Sequence, residues 1–373
     1  MWYAINTIIR ETNRFGPAIV AVSACSMLLM VQISLFLSAM TYVAKPIAAA
    51  NADIWIAHND VQSYNEGRPI PQRWVTRVAS QPGVLRTEYY LLGTAFLQKP
   101  GGGTEMCTVV GMPLGADSLG AGQMVPPGLR VKLQQPGAVA ADSSELARLG
   151  FEQYGYAGEV SGRSVYYVGA TYDFKRWTGP YLFCSLETAR QLLPTLQSSQ
   201  TTYILVQCRT PQASVAIARD LRRDFGEMKV YTRQEFIAQT QINWFTRTKA
   251  GLMLMFVTVI SAGVSLFVTS QTLYAATAAA RHEYAVLDAM GIPRRRIAGA
   301  VLWQSLWVGL LAAVLAAPAS YVVSTMLDIA GVPSRFELWL IAVGGAMTIT
   351  TAPISGLISL RSLQLIEPAE LLH

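Results

Sequence analysis

The sequence predicts a membrane α-helical protein with four transmembrane helices and an α+β extracytoplasmic domain inserted between helices 1 and 2. Three observations carry this. Of the 373 residues, 52% are hydrophobic and only 14% are charged, against about 25% charged in ordinary soluble domains. The charge deficit sits in four windows, Phe15–Ala44, Ala250–Ala280, Ile297–Leu327 and Leu338–Leu360, none of which holds Asp, Glu, Lys, Arg or His. A helix needs about 20 apolar residues to cross the hydrocarbon core, and each window is long enough. Residues 45–249 hold most of the charged side chains and read as a folded, water-exposed domain.

The elements follow in order. Residues 1–14 place Trp2, Ile5, Ile8 and Ile9 at helical spacing ahead of Arg10, Glu11 and Arg14, the pattern of an interfacial helix leading into helix 1. Residues 15–44 are helix 1. Ala48-Ala49-Ala50 has the form of a signal-peptidase site, but the uncharged stretch before it is far longer than the 7–15 residues of a signal h-region. Within 45–249, Ala52–Ala57 reads as a strand. Pro71–Ser80 reads as a helix opened by proline, and Glu88–Gln98 and Glu105–Gly111 as a hairpin turning at Pro100–Gly103. Met112–Leu129 reads as loop, Ser143–Leu149 and Ser185–Leu193 as short helices, and Val160–Ala170 as a second hairpin with Ser161-Gly162 at its turn. Thr202–Cys208 reads as a strand and Gln212–Phe225 as an amphipathic helix. Thr232-Arg-Gln-Glu235 has the capping-box form and opens a helix expected to run without a break into helix 2, residues 250–280. Residues 281–296 form a short loop, 297–327 helix 3, 328–337 a short outer loop, 338–360 helix 4 and 361–373 a tail.

Orientation comes from the short flanks. Arg10, Arg14, Arg281, Arg294, Arg295, Arg296 and Arg361 fall on one side, whereas 328–337 has Arg335 as its one base. The positive-inside rule assigns both termini and the 281–296 loop to the cytoplasm, and the large domain to the outside. The net charge of +6 therefore points to membrane lipid as partner and not to nucleic acid. No window contains an ionisable residue, which argues against an ion-coupled pump. Cys107, Cys184 and Cys208 lie in strand-like runs of the domain; they fit small buried hydrophobes, and at most one pair of them can form a disulfide. The sequence shows no P-loop, G-x-S-x-G, H-E-x-x-H or C-x-x-C motif and no metal-spaced Cys/His set, so the chain reads as non-catalytic.

The segment Arg281–Ile297, RHEYAVLDAMGIPRRRI, is the candidate site. It reads as a short helix whose Tyr284, Ala285 and Leu287 can enter a groove and whose Glu283 can meet a basic partner. Gly291-Ile-Pro293 ends it, and Arg294, Arg295 and Arg296 anchor the return to anionic headgroups. As residues alone, the same segment is equally an ordinary positive loop.

The run Arg281-His-Glu283-Tyr284-Ala285-Val-Leu287-Asp-Ala289-Met-Gly291, the basic residues through Arg296 and the tail Glu367-Pro-Ala-Glu-Leu371 together resemble the MacB/FtsX-type ABC transporter permeases, closest to the DevC-like branch. Leu371 stands where that family's tail usually has alanine. The layout of one helix, a large domain and three helices is similar to the family throughout. The resemblance implies a homodimer driven by a separate ABC ATPase that carries ATP and Mg, with no cofactor on this chain. It implies that 281–296 couples to that ATPase through Arg281, Glu283, Tyr284, Ala285, Leu287, Ala289, Gly291, Arg294, Arg295 and Arg296. It further implies mechanotransmission in a bacterial inner membrane, with a HlyD-type periplasmic adaptor and an outer-membrane channel, for efflux of a lipophilic or periplasmic substrate. An FtsX-like subunit that signals to a cell-wall hydrolase, or a permease for lipoprotein release or haem export, is the alternative.

Overall fold

The computed structural model describes residues 12–99, 101–151, 154–175, 179–279, 286, 290–332, 334, 339–346, 349 and 350. The labelled helices are α1 (Thr12–Ala49), α2 (Trp74–Ala79), α3 (Pro127–Leu133), α4 (Leu146–Leu149), α5 (Leu186–Leu192), α6 (Ser214–Asp224), α7 (Arg233–Arg247), α8 (Lys249–Ala279) and α9 (Arg294–Ile329). The strands are β1 (Ile54–His58), β2 (Ile70–Pro71), β3 (Val84–Gln98), β4 (Thr104–Met112), β5 (Ala138–Asp142), β6 (Ala157–Val160), β7 (Arg163–Thr171), β8 (Tyr181–Ser185), β9 (Gln200–Thr201), β10 (Tyr203–Cys208) and β11 (Met228–Thr232). Two compact units result, Ala39–Leu252 and the remainder.

In the unit Ala39–Leu252, nine strands hydrogen-bond in the order β11-β1-β10-β3-β4-β8-β5-β7-β6, and β6 returns to β3. The long strand β3 joins two lobes. Its first half, Val84–Tyr90, pairs with β10, and Leu91–Gln98 pairs with β4. Because Leu97 and Gln98 also pair with β6, the strands from β3 through β6 close on themselves. One core cluster includes Leu91, Ala95, Cys107, Val109, Val139, Leu182 and Cys184. The period of two in β1 feeds the two faces of the other lobe. Ile54 and Ile56 pack with Val206, Val230 and the α6 residues Ile217 and Leu221. Trp55 and Ala57 pack with Leu205, Tyr231 and Phe236 of α7.

The hairpin expected over Glu88–Gln98 and Glu105–Gly111 is present as Leu91–Gln98 paired with Thr104–Gly111, and β3 reaches back to Val84 to pair with β10. Four expectations are corrected. The helix expected from Pro71 begins at Trp74, because Ile70 and Pro71 pair with Thr201 and Gln200. The loop expected through Leu129 stops at Pro126, since Pro127 supplies the fixed φ of a first helical position. That loop is organised by the buried Arg130, which donates to the carbonyls of Val125 (2.9 Å), Gly115 (3.2 Å), Ala116 (2.8 Å) and Gly122 (2.7 Å). Four carbonyl partners offset the desolvation of a buried cation.

Third, helix 1 does not end at Ala44. It continues to Ala49, past Lys45 and Pro46. Its last turns belong to the domain: Lys45 pairs with Asp173, Tyr42 Oη donates to Asp173 at 2.9 Å, and Gln123 N donates to Ala49 O at 2.8 Å. Gly122 (φ +36°) lies so close to this helix end that a Cβ there would sit 2.2 Å from Ala49 O. Fourth, α7 does not run unbroken into α8. Thr248 lies between them at φ −89°, ψ 142°, an extended conformation.

The capping box at the start of α7 is complete. Thr232 Oγ1 accepts from Glu235 N (3.3 Å), and Thr232 N donates to Glu235 Oε2 (2.9 Å). Burial acts to raise the Glu235 pKa, but the Thr232 amide and Arg222 outweigh it and hold the carboxyl below its ordinary value. A carboxylate whose pKa falls on folding stabilises the fold above its unfolded-state pKa, and that contribution disappears as pH drops through the lowered value. Thr232→Ala should cost about 1 kcal/mol at neutral pH. The deficit should shrink in strong acid as Glu235 protonates and wild type loses its half of the box. Chemical denaturation at both pH values checks this; a deficit independent of pH would mean that the Glu235 charge has no part in the cap.

The domain cysteines are free and buried. Burial pushes the Cys107 thiol up to about 12 and that of Cys208 to about 11, and raises Cys184 further. Such thiols are poor nucleophiles.

Three helices among the described residues are long and apolar enough to cross a membrane, Gly16–Ala49, Lys249–Thr272 and Leu302–Ile329. The fourth expected span is described only at residues 339–346, 349 and 350, which are helical. Small and polar side chains make the helix contacts. Ala18 and Val22 pack against Val308 and Ala312, Gln32 Nε2 donates to Thr258 Oγ1 at 3.0 Å, and a Cβ on Gly344 would meet Met30 Cγ at 2.4 Å.

Candidate functional site

The candidate site is the segment joining α8 to α9. Helix α8 reaches it with apolar side chains exposed along its length, including Met253, Phe256, Val259 and Phe267. A helix that is apolar all round suits lipid or other helices as its surroundings. The residues Arg281, Glu283, Tyr284, Ala285, Leu287 and Ala289, singled out by sequence, lie outside the described residues.

What is described is how the segment ends. Met290 N donates to Val286 O at 3.0 Å, a helical bond. Gly291 then takes φ +82°, the left-handed conformation that stops a helix and that glycine adopts without strain. Pro293 precedes α9 at φ −62°, ψ 134°, and Arg296 N donates to Pro293 O at 2.8 Å. Arg294, Arg295 and Arg296 thus form the first turn of α9, and Arg295 and Arg296 are exposed.

The electrostatics of that turn are unfavourable for the helix itself. The N-terminus of a helix carries about half a positive charge and disfavours cations. No acidic residue shares the first turn of α9. Arginines there gain nothing from the helix itself, and the exposed guanidinium groups of Arg295 and Arg296 are of the kind that pairs with phosphates or carboxylates. Among the described residues no cluster of His, Cys, Asp and Glu is able to hold a metal.

A family match covers this segment. Residues 255–368 match the family described as FtsX-like permease C-terminal. This match and the three long apolar helices support a multi-pass membrane region in a chain that also carries an α+β domain. No curated protein matches the chain by sequence. Among solved structures, the periplasmic region of MacB from Actinobacillus actinomycetemcomitans is similar at 12% identity and TM-score 0.37, over 53% of this chain and 96% of that one. The extracellular domain of the noncanonic ABC-type transporter YknZ from Gram-positive bacteria is similar at 11% identity and TM-score 0.35, over 48% of this chain and 99% of that one.

Sequence reasoning did not find two features of the domain: the break at Thr248 and a groove of about 540 Å³ along β11. Thr248 and Gly251, three positions apart, were a readable signal for the first, because a threonine and a glycine both weaken an otherwise strong helical pattern.

Proposed function

We propose that the chain is the membrane subunit of an ABC exporter of the mechanotransmission type, with residues 281–296 as its coupling segment. The observation that carries this reading is the FtsX-like permease match over 255–368, which encloses the whole segment. The helix stop at Gly291 and the exposed Arg295 and Arg296 support it, since they lie between the apolar spans Lys249–Thr272 and Leu302–Ile329. In this reading a separate ATPase, holding ATP and Mg, docks on Glu283, Tyr284 and Leu287. Closure of the ATPase moves the segment, and α8 and α1 carry the movement to the domain.

The excess of arginine at 281–296 supports a cytoplasmic position for the loop, which sets the domain on the periplasmic side of an inner membrane. Dimerisation with a second copy, a HlyD-type adaptor and an outer-membrane channel complete the proposed exporter, with a lipophilic or periplasmic substrate.

Glu283→Ala and Leu287→Ala should each lower permease-stimulated ATP hydrolysis by about tenfold, within the range that coupling free energies span. The complex should still assemble on size exclusion. Wild-type stimulation in both variants would sink the coupling role.

A further inference from the structure

Among the described residues two that are not glycine hold a positive φ, Ser161 at +52° and Asp173 at +68°. Ser161 and Gly162 make the two-residue turn between β6 and β7, where hairpin geometry asks for that conformation. Asp173 has no such reason. It follows β7, and β7 does not pair with the next strand, β8. A left-handed backbone costs any residue with a side chain, although aspartate tolerates it better than most. At Asp173 that cost has to be offset by contacts that the conformation permits.

Those contacts run to α1. Asp173 Oδ1 accepts from Tyr42 Oη at 2.9 Å, and Oδ2 pairs with Lys45. Lys45 Nζ also stands over the rings of Tyr42 (5.4 Å) and Phe174 (5.5 Å). The next residue is held from the other side. Phe174 N donates to Asp142 Oδ2 at 2.7 Å, and the Phe174 ring meets Phe183 of β8 edge-on at 5.6 Å. Asp142 ends β5 and is 1% exposed; Phe174 is 4% exposed. Two adjacent residues thus tie α1 to β5 and β8, and the two ties differ in strength. The Phe174 side is buried. On the α1 side the Asp173 side chain is 43% exposed, and water replaces the partner of so exposed a carboxylate at little cost.

We propose that Asp173 is a releasable latch between α1 and the β5–β8 side of the domain. In the closed state, seen here, the contacts with Tyr42 and Lys45 offset the strained backbone. When α1 shifts, those contacts part first, Phe174 stays on its strands, and Asp173 relaxes to an ordinary negative φ. Release of strain offsets part of the lost contact, so the two states lie close in free energy and a small movement of α1 switches them. The latch rests on the exporter reading only for the source of that movement.

The test is fluorine NMR on the full chain in lipid nanodiscs, with a fluorotyrosine in place of Tyr42. Its resonance differs between a hydroxyl bonded to Asp173 and one released, and Asp173→Ala marks the released position. Without that substitution the bonded resonance should dominate. Lys45→Met, which leaves Asp173 and Tyr42 in place, should raise the ratio of released to bonded signal by roughly two- to fivefold, the range that part-exposed ion pairs span. Asp173→Asn keeps the shape and the tolerance of positive φ, and should do the same. The two together should do no more than the larger single effect, because both remove one charge pair. An unchanged ratio in Lys45→Met, or fully additive effects, overturns the latch. With the ATPase and ATP the released signal should grow. If it does not while Glu283→Ala still lowers hydrolysis, the latch falls and the coupling segment stands.

Discussion

Replacing Trp55 with alanine should lower the melting temperature of the intact chain by roughly 10 °C, from a loss of about 3–5 kcal/mol. Trp55 is fully buried at the centre of an aromatic cluster. Its ring meets Tyr64 (6.0 Å), Tyr90 (5.3 Å) and Tyr203 (5.7 Å) edge-on and Phe236 (5.6 Å) at a tilt. Those side chains come from five places in the chain: β1, the turn Tyr64–Glu66, β3, β10 and α7. Edge-to-face pairs add to the burial of apolar area. The polar atoms around it hold their own geometry, with Tyr64 Oη and Tyr90 Oη 2.7 Å apart and Tyr203 Oη donating to Tyr64 O at 2.8 Å. The indole N–H has no partner among the described residues, so Trp55→Phe forfeits volume but no hydrogen bond described there. That variant should lose less than half as much. A Trp55→Ala chain within about 1 kcal/mol of wild type in chemical denaturation would show that the cluster does not hold the domain together.

What the sequence made legible is what local pattern controls. Lipid tolerates no unpaired charge, which is why uncharged windows mark candidate spans, and three of the four are helices long and apolar enough to cross a membrane. Glycines 101–103 marked the hairpin, Thr232 and Glu235 marked the start of α7, and the spacing of Ile217, Ala218 and Leu221 marked α6. The missed elements are those whose warrant is tertiary. Strand β5 reads Ala-Val-Ala-Ala-Asp, a sequence of poor strand propensity, and it is a strand because all five residues are buried beside β7 and β8. The parallel pairings of β4 with β8 and of β5 with β7 join runs far apart in sequence, which no periodicity announces. At the candidate site, Gly291-Ile-Pro293 was readable as a helix stop because glycine permits the left-handed backbone and proline cannot continue a helix. The groove on β11 was not readable, because it exists only once α6 and α7 flank an unpaired strand.

In the proposed exporter the break at Thr248 would set how force passes along α8, and Gly251→Ala should expose its importance. An unbroken helix would act as a single lever; a capped joint transmits only as well as its geometry is held. Both helix ends are satisfied here. Thr248 N donates to Trp244 O at 3.2 Å as the last bond of α7, and Leu252 N donates to Thr248 O at 3.0 Å as the first of α8. Thr248 Oγ1 serves both, donating to Trp244 O at 2.6 Å and accepting from Gly251 N at 3.0 Å. Trp244 and Phe245, 4% and 7% exposed, fix the domain side of the joint. Against this turn Gly251 has no spare room: a Cβ there would lie 2.2 Å from Trp244 O and 2.8 Å from Phe245 Cα. Both are backbone atoms, so no side chain can swing aside, and the joint must open or the helices must shift. The expected cost is about 3 kcal/mol, the upper range for overpacking where neighbours cannot retreat. Thr248→Ala, which removes a cap without adding volume, should cost only about 1 kcal/mol. Hydrogen exchange over residues 244–252 should quicken in Gly251→Ala, and ATPase stimulation should fall with it if the joint transmits the stroke. A Gly251→Ala chain that melts and exchanges like wild type would mean that the close approach is relieved without consequence, and the joint would then be a passive kink.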